Sequence, residues 1–127
     1  MRATDERAER QTLVHEWGAR AFGRDHMNDP VVRAVRFLEE ACELSQAAGL
    51  PEGHALRVLA HVYARPAGDR GQEIGGVGVT LLALCTALGY NADLCERDEI
   101  ARVVSLPPEH WAQRNRAKRQ LIDEAKT

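Results

Sequence analysis

Aromatic residues, cysteines and excess charge are all scarce in this chain. Aromatic residues make up 5% of its 127 residues, and its apolar residues are mostly Ala, Leu and Val, which favours close-packed helices over a sheet. The three cysteines, Cys42, Cys85 and Cys95, are odd in number and widely spaced, which argues against a disulfide framework or a zinc site. A net charge of −2 gives no broad basic surface for nucleic acid. We therefore expect small core cysteines, a reducing cytoplasm and no nucleic-acid partner.

Long apolar runs and a phosphate-binding loop are also missing. The longest apolar run, 77–88, is shorter than the roughly 20 residues of a transmembrane helix. The N-terminus is charged through Arg10 with no apolar stretch after it, so we expect neither a signal peptide nor a membrane partner. Gly75, Gly76 and Gly78 precede no Gly-Lys-Ser/Thr, as a P-loop would require. Each glycine destabilises a helix by about 1 kcal/mol, so three glycines in one helix need a reason. They predict the close approach of another helix or a ligand at this point.

Helical signals run through the whole chain. Asp29 suits the N-cap of a helix with Pro30 at its first position, Gly49 can end that helix, and Asn91 is a second candidate N-cap. Length and periodicity predict one all-α domain over 1–127, with 1–10 frayed and a basic helical tail over 107–127. The predicted helices span about 5–22, 30–48, 51–64, 69–88 and 92–104, with a loop over 23–29.

Three glutamates lie together in the second predicted helix. Glu40 and Glu43 are one turn apart, Glu39 is within reach of Glu43, and all three lie beside the apolar stripe. Like charges at this spacing repel by about 0.2–0.5 kcal/mol. Such a cluster of oxygen ligands suits Mg²⁺ or Mn²⁺, and a solvated acidic face is the alternative interpretation. A further acid, Glu73, begins the most apolar predicted helix, where a charge needs a reason.

The pattern Glu40-x-x-Glu43 followed by Glu73-x-x-Gly76 resembles the ExxE…ExxD signature of the MazG-like all-α nucleoside triphosphate pyrophosphohydrolases. The segments 36–41 (Arg-Phe-Leu-Glu-Glu-Ala) and 72–85 (Gln-Glu-Ile-Gly-Gly-Val-Gly-Val-Thr-Leu-Leu-Ala-Leu-Cys) are similar to one branch, the phage-type, MazZ-like dATP/dGTP pyrophosphohydrolases. The chain departs from the superfamily at Gly76, where an Asp is expected. Water, a substrate phosphate or Glu39 would take that ligand's place, with Asp93 in reserve.

This resemblance implies a MazG-like bundle of four to five helices, assembled as a homodimer or a dimer of dimers with sites near the interfaces. The second and fourth predicted helices, about 30–48 and 69–88, would be antiparallel in this bundle, so that Glu40 and Glu43 face Glu73. The implied reaction is hydrolysis of dGTP or dATP to the monophosphate and pyrophosphate by water attack at the α-phosphorus, in the host cytoplasm if the protein is phage-encoded. Two or three Mg²⁺ or Mn²⁺ ions would be held by Glu40, Glu43 and Glu73. Glu39 and Glu40 are the catalytic candidates, with Glu39 as the base or a further ligand.

Basic and aromatic residues complete the predicted site. Arg36, Arg116 and Lys118 are candidates for the β- and γ-phosphates; an intrahelical salt bridge for Arg36 and a solvated cationic tail for the other two are the alternatives. Trp17 and the polar segment 23–29, which includes Asn28, form the predicted base-recognition region. The alternative there is a plain interhelical loop with Trp17 packed in the core.

Two rival functions stay open from the sequence. One is a house-cleaning pyrophosphohydrolase that acts on pyrimidine or non-standard nucleoside triphosphates. The other is a catalytically inactive helical binding module, which the missing acid at Gly76 makes plausible. The purine preference rests on the family resemblance alone.

Overall fold

The computed structural model describes residues 3–118 and 123, with side chains from residue 6 onwards within these ranges. These residues form seven α-helices and no strand, which confirms the all-α class. The helices are α1 (Ala3–Phe22), α2 (Arg24–Asn28), α3 (Pro30–Ala47), α4 (Glu52–Tyr63), α5 (Arg70–Leu88), α6 (Ala92–Ser105) and α7 (Pro108–Ala117).

Local signals set the helix ends where the sequence predicts them. Asp29 Oδ1 accepts the backbone N–H of Val31 at 3.0 Å, and Asn91 Oδ1 accepts that of Leu94 at 2.9 Å. Both acceptors satisfy N–H groups that have no partner within their own helix. Gly49 ends α3 with a φ of +97°, in the left-handed region that glycine adopts without strain. These three predictions are confirmed.

One expectation about the N-terminal region is wrong. Residues 24–28 form the short helix α2 instead of belonging to a loop. Helix α1 begins at Ala3, slightly ahead of its predicted start near residue 5, and the fraying of residues 1–10 stays a prediction. Helix α2 has only five residues, too few to show a helical period in the sequence. It packs on α1 at Gly18, where even a Cβ atom would overlap the thioether of Met27. A tertiary contact therefore stabilises α2.

The chain divides into two compact units, and α3 and α6 contribute to both. The terminal unit comprises Met1–Glu39 with Arg97–Thr127, and the central unit comprises Glu40–Glu96. In the terminal unit α1 packs against α2 and against α7. Its core includes Val32, which is fully buried, and Trp111, which is 8% exposed. The predicted basic tail is helical up to Ala117; its residues beyond 118, Arg119 among them, lie outside the described residues apart from Asp123.

The helices of the central unit leave their apolar side chains open to solvent. Among the described residues, α4 and α5 contain no buried side chain. Close helix pairing is limited to α1 with α2 and α1 with α7, so the predicted antiparallel pairing of α3 with α5 is not formed within the described part of one chain. The exposed large apolar residues of these two helices are Leu56, Val58, Leu59, Val62, Tyr63, Ile74, Val77, Val79, Leu82 and Leu88. A soluble monomer rarely exposes so many apolar side chains together.

Helix α5 is long and apolar enough, by length and composition, to cross a membrane. It has 19 residues with a mean hydropathy of 1.3 over its best window, none of which is buried. The expectation of no membrane segment rests on the shorter apolar run 77–88, which is only part of this helix. A single helix of this kind is a weak indication of a membrane span, because the central helix of a soluble helical assembly can have the same composition.

Candidate functional site

The structure distributes the predicted site residues over both units. The predicted metal ligands Glu40, Glu43 and Glu73 belong to the central unit. The remaining candidates belong to the terminal unit, and they are Trp17, Asn28, Arg36, Glu39, Arg116 and Lys118.

Helix α3 presents Glu40 and Glu43 in consecutive turns, and both are exposed. Glu73 is also exposed, in the first turn of α5. Across the described residues, however, no group of three or more His, Cys, Asp or Glu side chains could hold a metal ion. A single chain therefore does not bring Glu73 together with Glu40 and Glu43, and these residues do not fit a divalent ion in the arrangement that one chain provides.

Glu73 has a local structural explanation. Asp69 caps α5 by accepting the backbone N–H of Gln72 at 2.9 Å, and an acid in the first turn is favoured by the helix dipole. The Glu73 side chain lies beside Gly68, with Oε1 3.2 Å from where a Cβ at that glycine would be. The charge at the start of this apolar helix therefore does not by itself require a metal.

The glycines that follow Glu73 face open space. A Cβ at Gly75, Gly76 or Gly78 would meet no described atom within 4 Å, apart from the helix's own backbone and the adjacent residues. The predicted close approach of a helix or ligand at these glycines is thus not made within the described part of one chain. Gly76, where the superfamily pattern has an Asp, lies on this open surface of α5.

Three residues predicted for catalysis and phosphate contact meet in the terminal unit, where Glu39 binds both Arg36 and Lys118. Arg36 Nη1 donates to Glu39 Oε2 at 2.5 Å, and Lys118 Nζ donates to Glu39 Oε1 at 2.6 Å. Arg36 and Glu39 are one turn apart on α3, whereas Lys118 follows the last residue of α7. We call this arrangement the Glu39 triad. It joins α3 to the end of α7 through charge-assisted hydrogen bonds.

Two pKa values in and beside the triad are lowered. The pKa of Glu39 is lowered, chiefly by the hydrogen bond from Lys118, which together with the positive charges outweighs the opposing effect of burial. The pKa of Arg33 is lowered by burial and then by the positive charge of Arg36, with Asp29 acting in the opposite direction. Glu39 is therefore a firmly ionised carboxylate that is already bound by two cations.

The predicted base-recognition residues make contacts within the terminal unit. The ring of Trp17 lies edge-on to Phe22 and to Trp111, at centroid distances of 5.5 and 5.3 Å, as the core-packing interpretation expects. Asn28 Oδ1 is 2.7 Å from His15 Nε2, which joins the end of α2 to α1. Arg116 is exposed in the last turn of α7.

Sequence reasoning missed the pairing of Lys118 with Glu39 and the role of Trp111. Lys118 and Glu39 are 79 residues apart, so no local spacing connects them. The sequence assigns the segment 107–127, which contains Trp111, to a basic helical tail, yet the indole N–H of Trp111 donates to the Val103 carbonyl at 3.0 Å. A lone tryptophan among charged residues was the available signal, because a large apolar ring on a polar helix indicates a packing contact.

Searches against protein-family models, curated proteins and solved structures found no match to this chain. The function is therefore argued from the residues and their arrangement.

Proposed function

We propose that this protein is a metal-dependent pyrophosphohydrolase that converts dGTP and dATP to the monophosphate and pyrophosphate. The proposal is carried by one observation: Glu40 and Glu43 are exposed in consecutive turns of α3, and Glu73 is exposed at the start of α5 in the same unit. The sequence pattern around these three acids resembles that of the MazG-like enzymes. Carboxylates of this kind are ligands that Mg²⁺ and Mn²⁺ prefer.

The metal site in this proposal is completed by assembly. One chain does not unite the three glutamates, and its helices α4 and α5 leave a large apolar surface uncovered. A second copy of the chain that covered this surface would bury apolar area, which is the main favourable contribution to association. We propose a homodimer, or a dimer of dimers, in which a MazG-like bundle forms between copies.

The basic residues are assigned to the phosphates. Arg36 and Lys118 offer a guanidinium and an ammonium group that already bind an oxyanion, the carboxylate of Glu39. Arg116 adds an exposed positive charge on the last turn of α7. Charge-assisted hydrogen bonds from such groups would bind the β- and γ-phosphates of the substrate.

The test is an assay of dGTP and dATP with Mg²⁺ or Mn²⁺, with the products separated by chromatography. We expect the monophosphate and pyrophosphate from the wild type and no product above background from Glu40→Gln. Glu52→Gln is the matched control, since it neutralises an exposed glutamate of the same unit outside the motif. Full activity in Glu40→Gln would remove Glu40 from the mechanism.

The same assay separates the two rival functions. Faster turnover of dUTP or dCTP than of dGTP would favour a house-cleaning enzyme for pyrimidine or non-standard nucleotides. Intact triphosphate with every base and both metals would favour the inactive binding module. In that case calorimetry with a non-hydrolysable triphosphate would show no heat of binding that depends on Mn²⁺.

A further inference from the structure

Glu39 uses both of its carboxylate oxygens, each on a different cation. Oε2 accepts from Arg36 at 2.5 Å and Oε1 accepts from Lys118 at 2.6 Å. The three side chains are 20–28% exposed, so water screens these pairs less than it screens fully exposed ion pairs. The terminal unit thus holds one oxyanion between a guanidinium and an ammonium group.

The same donors would bind a phosphate group. Guanidinium and ammonium groups recognise carboxylate and phosphate oxygens through the same charge-assisted hydrogen bonds. Arg36 and Lys118 bring two positive charges and Glu39 brings one negative charge, so the Glu39 triad retains a net charge of about +1 by formal count. Arg33 is a further cation nearby: its pKa is lowered by burial and then by the positive charge of Arg36, with Asp29 acting in the opposite direction. A phosphate group, with more than one negative charge, would compensate these cations better than a single carboxylate.

The position of Lys118 allows an exchange of partners. It follows the last turn of α7, and its side chain is a flexible four-carbon stem with three rotatable donors. Its ammonium group can therefore leave Glu39 for another anion without unfolding a helix. Arg36 lies one turn from Glu39 on α3 and can likewise bind an incoming oxygen in place of the carboxylate.

We propose that Arg36 and Lys118 form a binding site for a phosphate oxyanion, that Glu39 fills this site in the free protein, and that a polyphosphate chain displaces the Glu39 carboxylate. The contact is autoinhibitory, because it holds a candidate catalytic carboxylate until the phosphates take its place. The inference rests on the proposed function, which supplies the polyphosphate chain as a nucleoside triphosphate.

The first experiment measures binding of inorganic tripolyphosphate to the full chain by calorimetry in the presence of EDTA. Glu39→Gln should bind about tenfold more tightly than the wild type, since a competing charge-assisted contact is removed. Glu99→Gln is the matched control: Glu99 also pairs with an arginine three residues away, Arg102, but among the described residues no lysine pairs with it as Lys118 does with Glu39. It should bind like the wild type. Lys118→Gln should weaken binding in both the wild-type and the Glu39→Gln backgrounds.

A tripolyphosphate affinity of Glu39→Gln no higher than that of Glu99→Gln would overturn the inference, as would absence of binding in every variant. A second measurement needs no variant. The carboxyl ¹³C resonance of Glu39 in the wild type should shift as tripolyphosphate is added and should saturate with the heat of binding. Sodium chloride of equal ionic strength should not reproduce that shift. A Glu39 resonance unchanged at saturation would also overturn the inference.

Replacing tripolyphosphate by dGTP identifies the source of the phosphates. Equal affinities would show that the site binds the phosphates alone, and tighter binding of dGTP would show that the nucleoside adds contacts; both support the site. Failure of the inference and failure of the proposed function are distinguishable. Tighter binding by Glu39→Gln without hydrolysis of dGTP by the wild type contradicts the proposed function alone. Hydrolysis together with unchanged affinity in Glu39→Gln contradicts the inference alone.

Discussion

Trp111 stabilises the terminal unit through two contacts that substitutions can separate. Its ring is 8% exposed and lies edge-on to Trp17, with 5.3 Å between the ring centroids. Its indole N–H donates at 3.0 Å to the carbonyl of Val103, in the last turn of α6, where carbonyls have no partner within the helix. Trp111→Phe removes the hydrogen bond and keeps a ring, whereas Trp111→Ala removes both contacts.

The two substitutions should differ in their effect on the free energy of unfolding. Trp111→Ala should lower it by about 3–5 kcal/mol, the usual cost of truncating a buried tryptophan. Trp111→Phe should lower it by about 1–3 kcal/mol, because the Val103 carbonyl loses its donor. A double-mutant cycle with Trp17→Ala should give a coupling of about 0.5–1.5 kcal/mol for the pair of rings.

Urea denaturation followed by far-UV circular dichroism measures these differences. Protein concentration must be held constant, since the proposed self-association would make apparent stability depend on it. Trp17 is the only tryptophan left in either Trp111 variant, and its fluorescence reports on the terminal unit. A loss below about 1 kcal/mol for Trp111→Ala, or equal losses for both variants, would refute this account of the core.

Three further experiments test other features of the molecule. Asp69→Ala should lower the free energy of unfolding by about 1 kcal/mol, because the Gln72 N–H loses its acceptor. Asp69→Asn keeps a side-chain oxygen and should retain most of the wild-type stability. Equal losses for the two variants in urea denaturation would contradict the role of Asp69 as the N-cap. Gly18→Leu should lower the free energy of unfolding by about 1–3 kcal/mol, because the Met27 thioether occupies the space that the new side chain needs. Adding Met27→Ala to this variant should restore part of the lost stability. No recovery in the double variant would contradict the contact between Gly18 and Met27. Ile74→Asp, at a side chain 73% exposed on α5, should weaken self-association in sedimentation velocity, and unchanged association would argue against α5 as the interface.

The sequence predicts helices and their ends well wherever a short-range signal exists. Asp29 before Pro30, Gly49 and Asn91 each act within a few residues, and the structure uses each as predicted. Helix α2 was missed because its five residues are held by contact with α1, which no local pattern encodes. Helical periodicity identifies apolar faces without revealing whether the same chain or another copy covers them. The predicted bundle within one chain depended on knowing which chain covers the apolar faces of α4 and α5.

The candidate site also has a part that short-range sequence signals predict and a part that depends on tertiary contacts. The spacing of Glu40 and Glu43 follows from helix geometry, and α3 places them in consecutive turns as predicted. The meeting of Glu39 with Lys118 depends on where α7 ends relative to α3, which in turn depends on packing around Trp111. The sequence named Glu39 and Lys118 as separate functional candidates, but only the structure shows that each is the other's partner.

The hydrolysis proposal and the anion-site inference should respond differently to dilution. Arg36, Glu39 and Lys118 all lie in the terminal unit of one chain, so binding of tripolyphosphate requires no second copy. The described residues of one chain provide no metal-binding group, so hydrolysis should require assembly over the exposed helices α4 and α5. Dilution through the range in which sedimentation shows dissociation should lower dGTP hydrolysis per chain and leave the tripolyphosphate affinity unchanged. Constant hydrolysis per chain across that range would place a complete site in the monomer and contradict the requirement for assembly.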